Sequence, residues 1–404
     1  MTLNLDGLLS DRARVRGVDG VIGGLRRQKK DAIPLHYGYP YPDSYPLEEI
    51  SSAARSSILE DGCESINYGG ADLAEEFSRL VMQRLGKRGI TCREEEMLVT
   101  SGSSQAINLV CSVFVDVGDR VLVEAPSYMG GLNSFRNFGA DLVPIEVDEL
   151  GIRTDELADR LSEWRAAGES MPKVLYSITN FNNPSGCTTC EPRRRELLDL
   201  AEEYGFLILE DDAYGELRFE GEDIPPLGAM DDRGVVVHVG SMSKILAPGV
   251  RLGWAVADER IIQMMNVHKA DGGTSPLART IVGAYLRETD MDARLEELRA
   301  GYRLRRDAAV GAMEEFMPQG CHWTVPEGGY FLWLTIPEGL DSDDMLDDMA
   351  EEGVKPLSGR QFYCDGRGAR NFRISYSYPE PEAVRTGIEL MARVIRRHME
   401  ALEG

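Results

Sequence analysis

Between residues 95 and 257, short apolar runs alternate with longer amphipathic stretches. The apolar runs fall at 97–100, 120–124, 142–147, 174–178, 206–210, 235–239 and 252–256. Most show no polar alternation, which is the pattern of strands buried on both faces. Stretches such as 105–115 and 193–204 have helical spacing and lie between these runs. Such alternation predicts an α/β fold built on a mostly parallel, doubly wound sheet of seven strands. A long helical pattern follows from 278 to 316, broken near Thr289, and leads into a second unit. Residues 321–404 read as a smaller α+β domain, with strands near 329–334 and 371–375.

Composition narrows the class. A chain of 404 residues, 43% of them apolar, is too long for one small domain and can bury a sizeable core. No apolar run reaches the roughly 18 residues of a membrane span. The start of the chain has no long apolar core behind a basic segment, so no secretory signal is expected. A net charge of −24 repels nucleic acid and anionic lipid, and neither is an expected partner. The basic run Arg26, Arg27, Lys29, Lys30 is too short to alter that and reads as a solvated face. Seven scattered cysteines suit reduced thiols and a cytoplasmic location. Cys187-Thr-Thr-Cys190 has no second pair to complete a metal site, and no metal is expected.

Lysine is scarce, at seven residues against 37 arginines. Lys244 stands out because it follows a predicted strand in Gly240-Ser-Met-Ser-Lys-Ile-Leu-Ala-Pro-Gly-Val-Arg251. Open α/β sheets collect ligands at the carboxyl ends of their strands. An amine there, with Ser241, Ser243 and Arg251 beside it, suits imine formation next to a phosphate. A solvated lysine in a surface loop explains this segment alone equally well. Three further segments decide between the two. The strand 206–209 runs into Glu210-Asp211-Asp212-Ala213-Tyr214, where Asp211 can pair with a protonated pyridine nitrogen. Asn183, in Asn180-Phe-Asn-Asn-Pro-Ser-Gly186, offers an amide at another strand end. Thr100-Ser-Gly-Ser-Ser-Gln105 joins a strand to a helix, whose first N–H groups can cradle a phosphate.

Taken in order, Ser101-Gly-Ser-Ser104, Asn183-Pro-Ser-Gly186, Asp211-x-Ala-Tyr214, Ser241-x-Ser-Lys244 and the distal Arg373 resemble the class I/II aminotransferases. These are pyridoxal-phosphate enzymes of fold type I, in the aspartate aminotransferase superfamily. The subgroup resembled includes kynurenine and 2-aminoadipate aminotransferases, and the likeness runs from about Ile33 to the C-terminus. It implies an N-terminal arm and part of the small domain at 1–50, a large cofactor-binding domain at 51–290 and a small domain at 291–404. It implies that Lys244 forms the Schiff base and then moves protons, that Asp211 pairs with the pyridine nitrogen, and that Tyr214 and Asn183 bond the phenolate oxygen. Ser103, Ser104, Ser241, Ser243 and Arg251 would hold the phosphate or support its site. Tyr128 would stack on the ring, and Tyr68 would reach the phosphate of the other subunit of a homodimer. Arg373 would fork the substrate carboxylate, and Gly38 lies in the segment that covers the substrate. The activity implied is transfer of an amino group from an L-amino acid to a 2-oxo acid. The same fold also serves cyclases, eliminases, decarboxylases, oxidases and, in some transcription factors, cofactor-sensing domains. Too few residues precede the likeness for a winged-helix domain.

Two segments depart from the subgroup, at Ser104 where it usually has Gln and at Thr179–Pro184 where it usually has Pro-x-x-Gln-Asn-Pro. The segment from Leu35 to Tyr45 is rich in tyrosine and carries Asp43 but no arginine. That suggests a polar, even cationic, substrate side chain. An aromatic-selective pocket, with Asp43 only capping a turn, fits nearly as well.

Overall fold

The computed structural model describes residues 8–9, 32–68 and 72–403. The basic run at 26–30 lies outside them. The expected strands form β1 (Met97–Thr100), β2 (Arg120–Ala125), β3 (Asp141–Asp148), β5 (Val174–Ser177), β6 (Leu207–Asp211), β7 (Val236–Ser241) and β8 (Gly253–Val256), and a two-residue β4 (Gly151–Ile152) adds an eighth. Their order is β1-β8-β7-β6-β5-β2-β3-β4. The run β7-β6-β5-β2-β3 is parallel, whereas β8 is antiparallel to both β7 and β1. The reason is the connection: β7 and β8 are joined by the loop carrying Lys244, with no crossover helix to return the chain for a parallel pairing.

Strand residues alternate between two cores. Val121, Val123, Val174, Tyr176 and Leu209 face the helices at 103–114, 129–137 and 259–268. Leu122, Leu175, Ile208 and Val236 face those at 154–167 and 191–204. The apolar runs looked continuous because helices cover both faces.

The long helical pattern resolves into Pro276–Glu288 and Met291–Phe316. Asp290 sits in the break, and its carboxylate accepts from the N–H groups of Asp292 and Ala293. The second helix packs Leu295, Leu298 and Tyr302 into one core and Ala309, Ala312 and Met313 into another. The latter core belongs to an antiparallel sheet ordered β11-β12-β10-β9: β9 (His322–Trp323), β10 (Phe331–Thr335), β11 (Leu357–Ser358) and β12 (Asn371–Ser375). The chain just before the helix at 47–61 packs against this unit too. Ile33 bridges to Val354, and Leu35 is fully buried in the same core.

Candidate active site

The carboxyl ends of β5, β6 and β7 open on a cavity of about 440 Å³. Gly38, Ser103, Ser104, Tyr128, Asn183, Asp211, Tyr214, Ser241, Ser243, Lys244, Arg251 and Arg373 all line it. Of the expected site residues, Tyr68 alone is elsewhere, at 93% exposure.

Lys244 turns inward from the loop after β7, and its Nζ donates to the Gly38 carbonyl at 2.8 Å. The rings of Tyr214 and Tyr330 lie 5.5 and 5.3 Å away. Burial, then the positive charge of Arg373, brings the amine down to about 8, with Asp211 pulling the other way.

Asp211 ends β6 and is buried. Its Oδ2 accepts from the Tyr176 hydroxyl at 2.9 Å, while Oδ1 has no protein partner. Burial pushes the carboxyl up to about 6, against the Tyr176 bond that favours the charged form. An unpaired carboxylate oxygen inside a cavity is costly unless something donates to it. The ring N–H of a pyridinium would do so, and pyridoxal phosphate therefore fits this site. Its phosphate would also be accommodated. The helix 103–114 has no side-chain cap and begins at Gly102, whose φ is 82°. Its first N–H groups have no partner within the helix and favour an anion. Arg251, itself at φ 52°, lays its guanidinium against Gly102, where a Cβ would come 2.8 Å from Nη2. The Ser241 and Ser243 hydroxyls are 2.9 Å apart at the same end.

Arg373 reaches the cavity from β12. Its Nη1 donates to Asn183 Oδ1 at 3.1 Å and its Nη2 to the His36 carbonyl at 2.7 Å, while Nε has no partner. The guanidinium lies over Phe331, 4.2 Å from the ring centre. Asn183 sits in a loop held by the buried Arg194, which donates to the Thr179 carbonyl and to Asn180 Oδ1. On the other side Asn182 Nδ2 donates to Glu124 Oε2 at 2.6 Å. Glu124 is buried, and that burial raises it to about 7.

The segment that closes the cavity is pinned by every second residue of one stretch. Arg373, Ser375 and Ser377 donate to the carbonyls of His36, Tyr37 and Tyr39. Tyr37 and Tyr39 stack at 4.9 Å, and the Tyr378 ring meets Tyr37 edge-on at 5.4 Å. Asp43 lies in the short turn Pro42–Ser44 and does not line the cavity, so Asp211 is the one acidic side chain among the described lining residues. Tyr176 and Phe331 were not singled out from the sequence, since each sits in a strand whose pattern is explained by packing alone; Glu124 was not either, although an acidic residue closing an apolar run was a signal for it.

Fold and site together define a pyridoxal-phosphate enzyme of fold type I: a lysine after β7, an aspartate ending β6 and an arginine from the second sheet share one cavity. The chain belongs to the family described as aminotransferase class I and II, which it matches over residues 33–390. It is 35% identical to aromatic-amino-acid aminotransferase 1 of Thermococcus litoralis, covering 92% of this chain and 90% of that one. Its structure is similar to that of a multiple substrate aminotransferase from Thermococcus profundus, with a TM-score of 0.92, 34% identity and coverage of 99% and 100%. It is also similar to a kynurenine aminotransferase from Pyrococcus horikoshii in complex with PMP, with a TM-score of 0.89, 34% identity and coverage of 98% of each chain. The protein is a pyridoxal-phosphate-dependent aminotransferase that moves the amino group of an amino acid to a 2-oxo acid.

Proposed function

We propose that the lining residues divide this reaction among them as follows, and that the amino donor carries an aromatic side chain. When bound, pyridoxal 5′-phosphate supplies an aldehyde that takes up the amino group and a ring that draws off the electrons left when the α-hydrogen departs. Lys244 Nζ would hold the cofactor and would carry the substrate's α-proton. An amine titrating at about 8 is neutral often enough near neutral pH to do this. Asp211 Oδ1 accepts the ring N–H and keeps the ring protonated. Asn183 gives its Oδ1 to Arg373, which leaves its Nδ2, with the Tyr214 hydroxyl, to bond the ring oxygen. The start of the helix at Ser103 and Ser104, with Ser241, Ser243 and Arg251, holds the phosphate. Tyr128 would stack on the ring from the cavity wall. Arg373 takes the substrate carboxylate, with its unpartnered Nε as one free donor.

The active unit is a homodimer. Tyr68 is exposed, away from its own cavity, and available to the phosphate site of a neighbouring chain. The seven free cysteines support a cytoplasmic location. The tyrosine wall of Tyr37, Tyr39 and Tyr378 favours an aromatic donor over a cationic one. The names of the relatives from T. litoralis and P. horikoshii point the same way.

The observation that carries this reading is the unpartnered Asp211 Oδ1 in a cavity that also holds Lys244 and Arg373. Borohydride reduction of the holoenzyme followed by peptide mass spectrometry tests it. The pyridoxyl group is expected on Lys244, and its appearance on any other lysine overturns the assignment.

A further inference from the structure

The geometry points to Tyr176 as the residue that holds Asp211 ready for the cofactor's ring nitrogen, with Gly131 providing the space this requires. The inference rests on the reading of Asp211 given above. Tyr176 lies on β5 beside β6, and its ring is fully buried. Its hydroxyl donates to Asp211 Oδ2 at 2.9 Å and fixes the carboxylate so that Oδ1 is the oxygen left over at the cavity. A donor to the carboxylate also favours the charged form, which burial opposes. Without that bond the carboxyl is free to turn or to take up a proton.

The neighbouring helix is shaped around this ring. Gly131 lies in the first turn of the helix 129–137, and a Cβ there would come 2.7 Å from the Tyr176 hydroxyl and closer still to its ring. Glycine weakens a helix relative to alanine. Gly131 has no left-handed backbone angle to justify it. The Tyr176 ring does. Phe135, one turn on, packs against the same ring at 5.7 Å between centres. Tyr176 never meets the substrate in this scheme. It acts through Asp211 and is a positioning residue.

The test uses cofactor-free full-length protein and two probes: pyridoxal 5′-phosphate, and 1-deazapyridoxal 5′-phosphate, which has C–H in place of the ring nitrogen. Tyr176→Phe deletes only the hydroxyl. It should weaken binding of the natural cofactor about tenfold, the scale of one hydrogen bond to a charged group, and leave the deaza analogue unchanged within about twofold. Gly131→Ala keeps the hydroxyl but displaces the ring, and should show the same selective loss. In an Asp211→Asn background, Tyr176→Phe should have no further effect on either probe. Equal weakening of both probes by Tyr176→Phe, or weakening of neither, overturns the inference. Asp211→Asn alone separates the two levels. If it does not discriminate between the probes, the reading of Asp211 fails. If it discriminates and Tyr176→Phe does not, only the role of Tyr176 fails.

Discussion

Lys244 and Gly38 are joined by a 2.8 Å hydrogen bond from Nζ to the backbone carbonyl, so the amine is held by the segment that closes the cavity. Its titration is shifted from 10.5 down to about 8, first by burial and next by Arg373. The neutral, reactive amine therefore becomes the major form above about pH 8. Capture of pyridoxal 5′-phosphate by the cofactor-free protein, followed by absorbance, should climb between pH 7 and pH 9 and then level off. A rate still rising at pH 10 would show that the amine is not depressed. Arg373→Gln should move the midpoint upward, because a charge that opposes the ammonium form has been removed.

Asp211 carries the opposite kind of perturbation. Its folded carboxyl titrates at about 6, above the usual 3.8. The stabilisation that goes with the protonated form is complete below pH 4 and is lost as pH rises through 6. Above that, the cofactor-free protein holds an ionised carboxylate with one unsatisfied oxygen. Asp211→Asn should stabilise the cofactor-free protein by about 1–3 kcal/mol at pH 8, with the gain shrinking towards pH 5. Urea unfolding at the two pH values measures this. An unchanged or lowered midpoint at pH 8 would contradict it.

Arg373 presents a flat fork over Phe331, and lysine cannot reproduce either feature. Arg373→Lys should raise KM for the amino donor about ten- to a hundredfold, the range for losing a charged hydrogen bond, and leave the cofactor absorbance intact. Steady-state kinetics with an unchanged KM would remove Arg373 from carboxylate binding.

Tyr39 is half exposed and stacked on Tyr37 at the mouth of the cavity. Tyr39→Ala should lower kcat/KM for phenylalanine or tyrosine about tenfold, the scale of a lost aromatic pair with its buried area, and change alanine turnover little. If arginine or lysine proves the best donor of the unaltered enzyme, the aromatic assignment falls.

Tyr68 gives a prediction about assembly. Light scattering should return twice the chain mass of 44.8 kDa. Tyr68→Phe should weaken retention of the cofactor without dissociating the two chains. A monomer, or unaltered retention, would leave the exposed tyrosine without this role.

The sequence pattern showed some of these features and hid others, for physical reasons. Strands sandwiched between helices announce themselves as apolar runs, and the break read near Thr289 is where Asp290 caps the second helix. The direction of β8 was not visible, since a buried strand looks alike in either orientation. The two-residue β4 is too short to leave a pattern. Lys244, Asp211 and Arg251 could be picked out as charged residues at strand ends or close beyond them. Tyr176 could not, because in an apolar strand an aromatic residue is explained by its ring, and the task of its hydroxyl appears only when Asp211 is placed beside it. Gly130-Gly131 was the available hint, two glycines opening a helix. Asp43 misled in the opposite way: a carboxylate near the expected pocket in sequence turns out to sit in a turn outside it.

The ribbon from His36 to Tyr39 is hydrogen-bonded to β12 and the residues just beyond it through its backbone carbonyls, so these hydrogen bonds do not depend on which side chains it carries. That makes it an exchangeable cassette. The side chains at 37 and 39 can be randomised in a library while Lys244, Asp211 and the serines of the cavity keep their places. Selection for new amino donors should accumulate changes at 37 and 39 long before it touches the strand ends, and the enzyme's range can drift while its chemistry stays fixed.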